Sequence, residues 1–348
     1  MRRILLSVLA MTVVACGTSA TDGGAGSAEF NAAWSHTFPP ITVRSGTEED
    51  FLCQSWTLNN EEPIYVSGVR QYNDGAWHHS NWFFAPEDMF GDDGTWNCRD
   101  EGFGMVEAAV FGGVVFAQST QTFEETFRFP NKSAVIIPPH SKIIGALHLV
   151  NFAAADIDTT LTLQFEDAEP EDVEVSLQPL SFLIYSLAIP PQQQSRWHMT
   201  CPMQTVYDVL ELNHGTSDDF GIYYVLGHYH SWGNYFGLSY VDADGSERLI
   251  METDNTAGDT LGRIVDPPLM ANGAPGLKVT CGYNNTTDRN LIWGNDGDKE
   301  MCMFLAYVGA PVKVVSWGQD PSEEVAMEDG MRTFEAGCSE VTAINVRQ

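Results

Sequence analysis

Short runs of apolar and β-branched residues, separated by Pro, Gly, Asn and Asp, recur along most of the chain. Long stretches in which apolar residues repeat every 3.6 residues are absent. Strands bounded by turn residues give this pattern, whereas an α/β fold needs helices between its strands. The sequence therefore predicts an all-β fold of antiparallel β-sandwiches. The segments that carry this prediction are PIYVSGV, GGVVFAQST, SAVIIPP, TTLTLQFED, VEVSLQPLSFLIYSLAIPP and KVVSW.

The length of the chain predicts more than one domain. A single hydrophobic core rarely extends over 348 residues, so two domains of ordinary size are expected. One strand-like run gives way to another at Gln178 and Pro179. A junction there gives an N-terminal sandwich over residues 30–178 and a C-terminal sandwich over residues 179–348, each large enough for its own core.

The N-terminus has the features of an export signal. Arg2 and Arg3 precede an apolar run over residues 4–15 that is too short for a permanent membrane span. The sequence VVAC that ends at Cys16 resembles a bacterial lipobox, in which the cysteine carries lipid. The alternative is an ordinary cleaved signal peptide that contains Cys16. We predict a signal peptide over residues 1–15 and a lipidated, flexible tether over residues 16–29. The protein is then exported, and either anchored to a bacterial membrane only through this lipid or secreted.

The net charge argues against one class of partner, and the cysteine content predicts disulfides. The formal net charge is −30, and removal of residues 1–15 takes away two arginines and makes it about −32. A nucleic-acid partner is therefore not expected. If Cys16 carries lipid, six of the seven cysteines remain, and an exported chain usually pairs them in disulfides. Spacing alone leaves all 15 pairings open.

The motif GHYHSW contains His228 and His230 and follows the strand-like segment GIYYVL. Residues two apart share one face of a strand, so the two imidazoles would lie side by side in a geometry suited to a metal ion. The alternative is a pair of solvated or hydrogen-bonded histidines. Met301, in GDKEMCMFLAYV, is a candidate third ligand, and its thioether would favour copper. The alternative for Met301 is a core residue that fills a gap.

A second histidine motif lies in the N-terminal half. His78 and His79 are adjacent in DGAWHHSNWFF, and neighbours on a regular strand point to opposite faces. Both can reach one ion only if a bulge or a strand end brings them together. His148, in GALHLVNF, would complete a three-histidine site, although a lone imidazole in an apolar segment is often a core group.

Taken in order, these motifs resemble the family of copper type II, ascorbate-dependent monooxygenases, which includes peptidylglycine alpha-hydroxylating monooxygenase and dopamine beta-monooxygenase. The resemblance spans nearly the whole mature chain. It includes WHHSNWFF, where the family has His-His-Met-Leu-Leu-Phe, and KEMCMF, where the family reads Asp-Glu-Met-Cys. The other motifs are DFLCQSWTL, YVSGV, WNCRDEG, LHLVNF, SLAIPP, MTC, GHYHSWG and LKVTC.

The resemblance implies two jelly-roll-like sandwiches that face each other across a solvent-filled cleft, with one copper on each wall. It implies two copper ions per chain and an external reductant such as ascorbate. The first copper, which stores an electron, would be held by His78, His79 and His148. The second, which binds O₂ and faces the substrate, would be held by His228, His230 and Met301. The implied disulfides are Cys53–Cys98, Cys201–Cys338 and Cys281–Cys302.

Three apolar residues depart from the family pattern. Leu226 stands where the peptide-amidating enzyme has an arginine for the substrate carboxylate, and Met303 and Leu305 replace its asparagine and tyrosine. A carboxylate buried without a partner is strongly disfavoured, so peptidylglycine is not the expected substrate. These three residues are the substrate-pocket candidates, and a less polar substrate is expected.

The sequence therefore predicts a monooxygenase that uses O₂ and an external reductant to hydroxylate a C–H bond of a small organic molecule. One alternative is a noncatalytic copper-binding or copper-delivery surface lipoprotein. Another is a structural adhesin whose histidines bind no metal.

Overall fold

The computed structural model describes residues 29–346, apart from residues 105–107, 109–110, 119–121, 131, 216–219, 255–261, 295–296 and 329. The predicted signal peptide, the lipidation of Cys16 and all of the tether except Glu29 lie outside the described residues. The chain divides into two compact units, Met1–Phe30 and Asn31–Gln348. All the strands and helices of the described residues belong to the second unit. None of the helices within the described part has the length and apolar character needed to cross a membrane.

The N-terminal half folds into two facing sheets and a short ribbon. The larger sheet has the strand order β1-β12-β4-β9-β13, with β8 also on β4, and the facing sheet has the order β6-β3-β10-β5-β7. The ribbon pairs β11 with β2. The strands are β1 Trp34–Thr37, β2 Ile41–Val43, β3 Thr47–Thr57, β4 Ile64–Asn73, β5 Trp77–Pro86, β6 Gly94–Asn97, β7 Gly113–Ala117, β8 Glu124–Arg128, β9 Ser133–Ile137, β10 Ser141–Asn151, β11 Ile157–Thr159, β12 Leu161–Asp167 and β13 Val175–Ser176, with a 3₁₀ helix at Pro170–Asp172.

The C-terminal half repeats the two-sheet arrangement. Its sheets have the orders β20-β17-β23-β14-β24-β27 and β19-β18-β21-β16-β26-β25, and β15 pairs with β22. The elements are β14 Gln178–Ile184, β15 Ala188–Ile189, β16 Gln193–Pro202, α1 Gln204–His214, β17 Gly221–His228, β18 Gly233–Val241, β19 Glu247–Thr253, β20 Gly262–Met270, β21 Gly276–Asn285, β22 Leu291–Ile292, β23 Met303–Val308, β24 Val312–Gly318, β25 Glu323–Glu328, β26 Met331–Ala336 and β27 Glu340–Asn345. The predicted all-β sandwich fold is confirmed.

Two hydrophobic clusters fill the sandwiches. One surrounds Trp82 and Phe165 in the N-terminal half, and the other surrounds Trp197 and Phe236 in the C-terminal half. Strand alternation explains both clusters, since every second side chain of a strand points to the same face. The junction at residues 178 and 179 stays a prediction, because some side chains of the C-terminal strands also pack into the first cluster.

Those shared side chains come from two neighbouring strands, β17 and β23. Their intervening residues, such as Val225 on β17, point into the second cluster. The sheet that holds β17 and β23 is therefore covered on both faces, by its own sandwich and by the N-terminal one. The side chains that pack into the first cluster are Tyr224, Leu226, Leu305 and Tyr307.

Three disulfides form within the halves: Cys53–Cys98 in the N-terminal half, and Cys201–Cys338 and Cys281–Cys302 in the C-terminal half. They are the pairs that the family resemblance implies. Structural disulfides form and persist in oxidising compartments, so the protein is an exported one.

Candidate metal centre

The first histidine group lies where β5 pairs with β10. His79 is the partner of His148, but Leu149, the next residue of β10, pairs with Trp77. His78 is thus the extra residue of a β-bulge, which turns its side chain toward the face of its neighbour. The rings of His78 and His79 each lie 4.8 Å from the ring of His148, between centroids. The requirement for a bulge, predicted from the adjacent pair, is confirmed.

His148 is oriented by both of its ring nitrogens. Its Nδ1 lies 3.1 Å from Nε2 of His79, and its Nε2 lies 2.5 Å from Oε1 of Glu48. A carboxylate accepts only, so His148 donates through Nε2–H and keeps its lone pair on Nδ1. Two imidazole nitrogens bound to one tetrahedral ion at about 2.0 Å lie about 3.3 Å apart, close to the observed separation.

Glu48 also accepts a hydrogen bond from the C-terminal half. The backbone N–H of Gly297 donates to its Oε1 at 2.8 Å. One carboxylate of β3 therefore contacts both His148 and the loop that leads to Met301. A carboxylate behind a ligating imidazole fixes its tautomer and raises its basicity.

The second histidine group lies at the end of β17. The strand ends at His228, and His230 lies in the following loop. The prediction that one strand carries both histidines is therefore wrong. Their ring centroids nevertheless lie 5.2 Å apart. The Nδ1 of His230 lies 3.0 Å from the carbonyl oxygen of Lys299, to which it donates, so the ring lone pair is on Nε2.

Glu300 explains why the strand ends there. Its side chain is fully buried, and its carboxylate accepts the backbone N–H of His230 and that of Trp232, each at 2.8 Å. It also accepts the N–H of Met301 at 3.2 Å. These amides are then satisfied by a side chain and not by a neighbouring strand. Burial raises the pKa of Glu300 to about 7, although the backbone hydrogen bonds favour its ionised form.

The backbone of Met301 is fixed through its N–H, through its carbonyl and through the residue that follows it. Glu300 accepts its N–H, and its carbonyl accepts a hydrogen bond of 2.6 Å from the hydroxyl of Tyr283. The next residue, Cys302, is bound to Cys281. The Met301 side chain is buried and lines the same cavity as His228.

The two histidine groups touch each other. The ring of His79 lies 4.7 Å from that of His228, and the ring of His78 lies 5.7 Å from that of His230, between centroids. The separation of the two ligand sets by a solvent-filled cleft is therefore not found, because the sandwiches are in contact at this point. His79 belongs to both sets whose ligand atoms lie within 4.8 Å of one another: one with His78 and His148, the other with His228 and His230.

Burial keeps the imidazoles of His78 and His79 neutral. Burial, followed by the nearby His148 and His230, lowers the pKa of His78 to about 3. Burial and four neighbouring histidines hold the pKa of His79 well below its usual value. Neutral imidazole is the form that ligates a metal ion, so the protein offers ligands that need not lose a proton first.

The donor set fits copper. Five imidazoles come together, and Met301, which carries a thioether, lines the same cavity as His228 of the second group. Nitrogen and soft sulfur ligands suit copper, whereas calcium and magnesium require oxygen ligands. Within the described residues, the buried Nδ1 of His78 has no hydrogen-bond partner, as expected for an atom that would ligate an ion. The assignment of these residues as copper ligands stays a prediction.

The substitution Glu48→Gln tests the role of the carboxylate behind His148. We expect it to lower Cu(I) affinity at the first group by about 10- to 100-fold, the usual cost of losing such a partner. Titration against a competing Cu(I) chelator measures the affinity, and X-ray absorption separates the groups because only the second has a sulfur ligand. Glu49→Gln, on the neighbouring and exposed position of β3, is the control. Equal affinities of the two variants would contradict the assignment.

A cavity of about 440 Å³ adjoins the histidines and is lined by both sandwiches. This volume is within the range of small-molecule sites. Leu226, Met303 and Leu305, the residues proposed for the substrate pocket, all line it, as do His79, His148 and His228. The sequence thus identified side chains that share one cavity, and their role in substrate binding stays a prediction.

Comparisons with known proteins add no functional information. No protein-family model matches the chain. No curated protein matches it at a significant level.

Several solved structures show a distant similarity. The major capsid protein P2 from bacteriophage PM2 has a TM-score of 0.32 and 9% identity, over 81% of this chain and 100% of the capsid protein. The PBSX exported protein XepA has a TM-score of 0.21 and 6% identity, over 79% of this chain and 86% of its own. PNGase F, a glycosylasparaginase from Flavobacterium meningosepticum, has a TM-score of 0.30 and 6% identity, over 78% and 96%. At these scores, no activity of those proteins carries over to this chain.

Proposed function

We propose that the protein is a copper-dependent monooxygenase that hydroxylates a C–H bond of a small organic molecule. The observation that carries the proposal is a cluster of five imidazoles, three of which line an apolar cavity that Met301 also lines. Nitrogen ligands alone would suit several metals, but the thioether favours Cu(I). Peptidylglycine is not the proposed substrate, because Leu226, two residues before His228, offers no charge to a carboxylate at this end of the cavity.

The protein's own groups have separate tasks in this reaction. The first group, His78, His79 and His148, would hold one ion, and Glu48 fixes the orientation of the His148 ring. In the second group, Glu300 and the Cys281–Cys302 disulfide fix the backbone around His230 and Met301. The apolar cavity wall keeps water away from the reacting bond.

Copper bound at these residues supplies one-electron chemistry with O₂. In the overall reaction, one oxygen atom enters the substrate C–H bond and the other leaves as water. Two electrons from an external reductant such as ascorbate and two protons complete the balance. Attachment through a lipid on Cys16 would keep the exported enzyme at a membrane surface.

The test begins with untagged protein reconstituted with copper. We expect two copper ions per chain, and ascorbate-dependent O₂ uptake that rises when a substrate is present. Met301→Leu removes the sulfur at similar volume and should abolish substrate-dependent uptake. His214→Ala, at an exposed site whose imidazole bonds to Asn345, should leave uptake unchanged.

Other outcomes separate the rival functions. Two bound copper ions without substrate-dependent uptake, over a broad screen of apolar and peptidylglycine substrates, would favour copper storage or delivery. Absence of bound copper would favour a structural adhesin. Efficient turnover of peptidylglycine would overturn the substrate assignment alone.

A further inference from the structure

The cavity runs from the second histidine group to a lysine. Its C-terminal wall is the sheet face formed by β17, β23, β14 and β24. One row of paired residues crosses these strands and consists of His228, Met303, Leu183 and Trp317. Lys313 lies four residues before Trp317, about 13 Å away along the strand. It also lies three strand spacings from β17, each about 4.8 Å. Lys313 therefore lines the cavity at the end remote from His228.

The N-terminal wall, formed by β5 and β7, also extends from the histidines at one end toward Lys313 at the other. His79 and Phe83 are four residues apart on β5, and Phe83 pairs with Val114 at the far end. The Nζ of Lys313 donates to the carbonyl of Gly112, which immediately precedes β7. Both walls thus place the histidines at one end and the ammonium group at the other.

The surface between the two ends is largely apolar. The side chains of Leu226 and Leu305 occupy the next row of the sheet after His228 and Met303. Val315 and Ile344 lie near Lys313, and all four line the cavity. Such a wall favours a hydrocarbon body and offers few groups to a polar one.

Lys313 gives the far end a specific chemistry. Burial lowers its pKa to about 8, so most of the ammonium groups remain protonated at neutral pH. An ammonium group carries three donors and no acceptor, and it binds a carboxylate through a charge-assisted hydrogen bond. A second cation of the cavity, Arg99, lies over the ring of Phe51 and is exposed.

We propose that the cavity takes an elongated, mainly apolar monocarboxylate whose carboxylate binds Lys313 and whose other end points toward His228 and Met301. The head group and the histidines are then separated by the apolar wall. Hydroxylation of such a ligand would occur at the end remote from its carboxylate. This part of the inference rests on the proposed function. The binding itself does not.

Calorimetric titration of the mature, copper-loaded protein without reductant tests the binding. The probes are octanoate, octanol and octyltrimethylammonium, which share a chain length and differ in head-group charge. We expect octanoate to bind at least about tenfold more tightly than octanol, the usual effect of a hydrogen bond to a charged group. About 0.15 M salt screens the large negative net charge of the protein beyond about 8 Å.

Three variants locate the head group. Lys313→Met should remove the preference for octanoate, Lys313→Arg should retain it, and Arg99→Met should leave it unchanged. Thermal unfolding checks that each variant is folded. Equal binding of octanoate and octanol, tighter binding of the cationic probe, or loss of the preference in Arg99→Met instead of Lys313→Met would overturn the proposal.

The result is independent of catalysis. If the protein binds octanoate through Lys313 but consumes no O₂, the proposed monooxygenase activity fails and this inference stands. If O₂ uptake responds to other substrates while octanoate does not bind, the inference fails and the activity stands.

Discussion

His79→Ala is expected to weaken copper binding at both histidine groups, whereas His78→Ala should weaken only the first. The reason is the position of His79, which lies within ligand distance of His148 on one side and of His228 on the other. The loss should exceed the 10- to 100-fold that removal of a ligand's hydrogen-bond partner costs, because a ligand itself is removed. Copper per chain after dialysis, together with chelator titration, measures both effects.

His214→Ala is the matched control for this experiment, since its imidazole is exposed and hydrogen-bonds to Asn345. Full copper affinity at the second group in His79→Ala would show that the two groups bind independently. His79 would then serve the first group alone.

The second large effect is expected on stability. Glu300→Ala should lower the free energy of unfolding by about 3 kcal/mol or more, because it leaves several buried backbone N–H groups without their acceptor. Those groups belong to His230, Trp232 and Met301, so the variant should also lose copper at the second group. Urea unfolding of the metal-free protein separates the structural loss from the loss of metal.

Glu247→Ala provides the comparison. Its carboxylate forms a partly exposed ion pair with Lys278, and exposed pairs contribute about 0–1 kcal/mol. If Glu300→Ala were no more destabilising than Glu247→Ala, the backbone around the second group would not depend on the buried carboxylate.

The sequence was most informative where local geometry decides the outcome. Two adjacent histidines on one strand can share a face only through a bulge, and the structure has that bulge at His78. The same reasoning failed at His230, because it extended the strand of His228 by two residues. The cause is Glu300, which is 70 positions away in the chain and captures the N–H of His230.

The groups that position the ligands were not predicted, for a physical reason. Glu48 contacts His148 across 100 positions, and nothing local distinguishes it from the other acidic residues of a chain that has 47. Lys313 was likewise recognised only as the first residue of the strand-like segment KVVSW. Their roles depend on sheet register, which sets which strands become neighbours and which side chains meet.

The helix α1 was also missed, although a local signal exists. Its buried residues Val206, Tyr207 and Leu210 follow helical spacing. The segment is short and lies between strands, so the signal was weak beside the strand pattern around it. The helix lies outside the cavity wall, and this omission did not affect the predicted site.

The shared packing of β17 and β23 limits how the cavity can exchange its contents. Tyr224 and Tyr307 are anchored in the N-terminal core while their strands belong to the C-terminal sandwich. Swinging the sandwiches apart at this place would expose two large aromatic side chains to water, at a cost of several kcal/mol. Uptake and release of a ligand would therefore proceed through local movements at the rim, with the body of the molecule behaving as a single rigid piece.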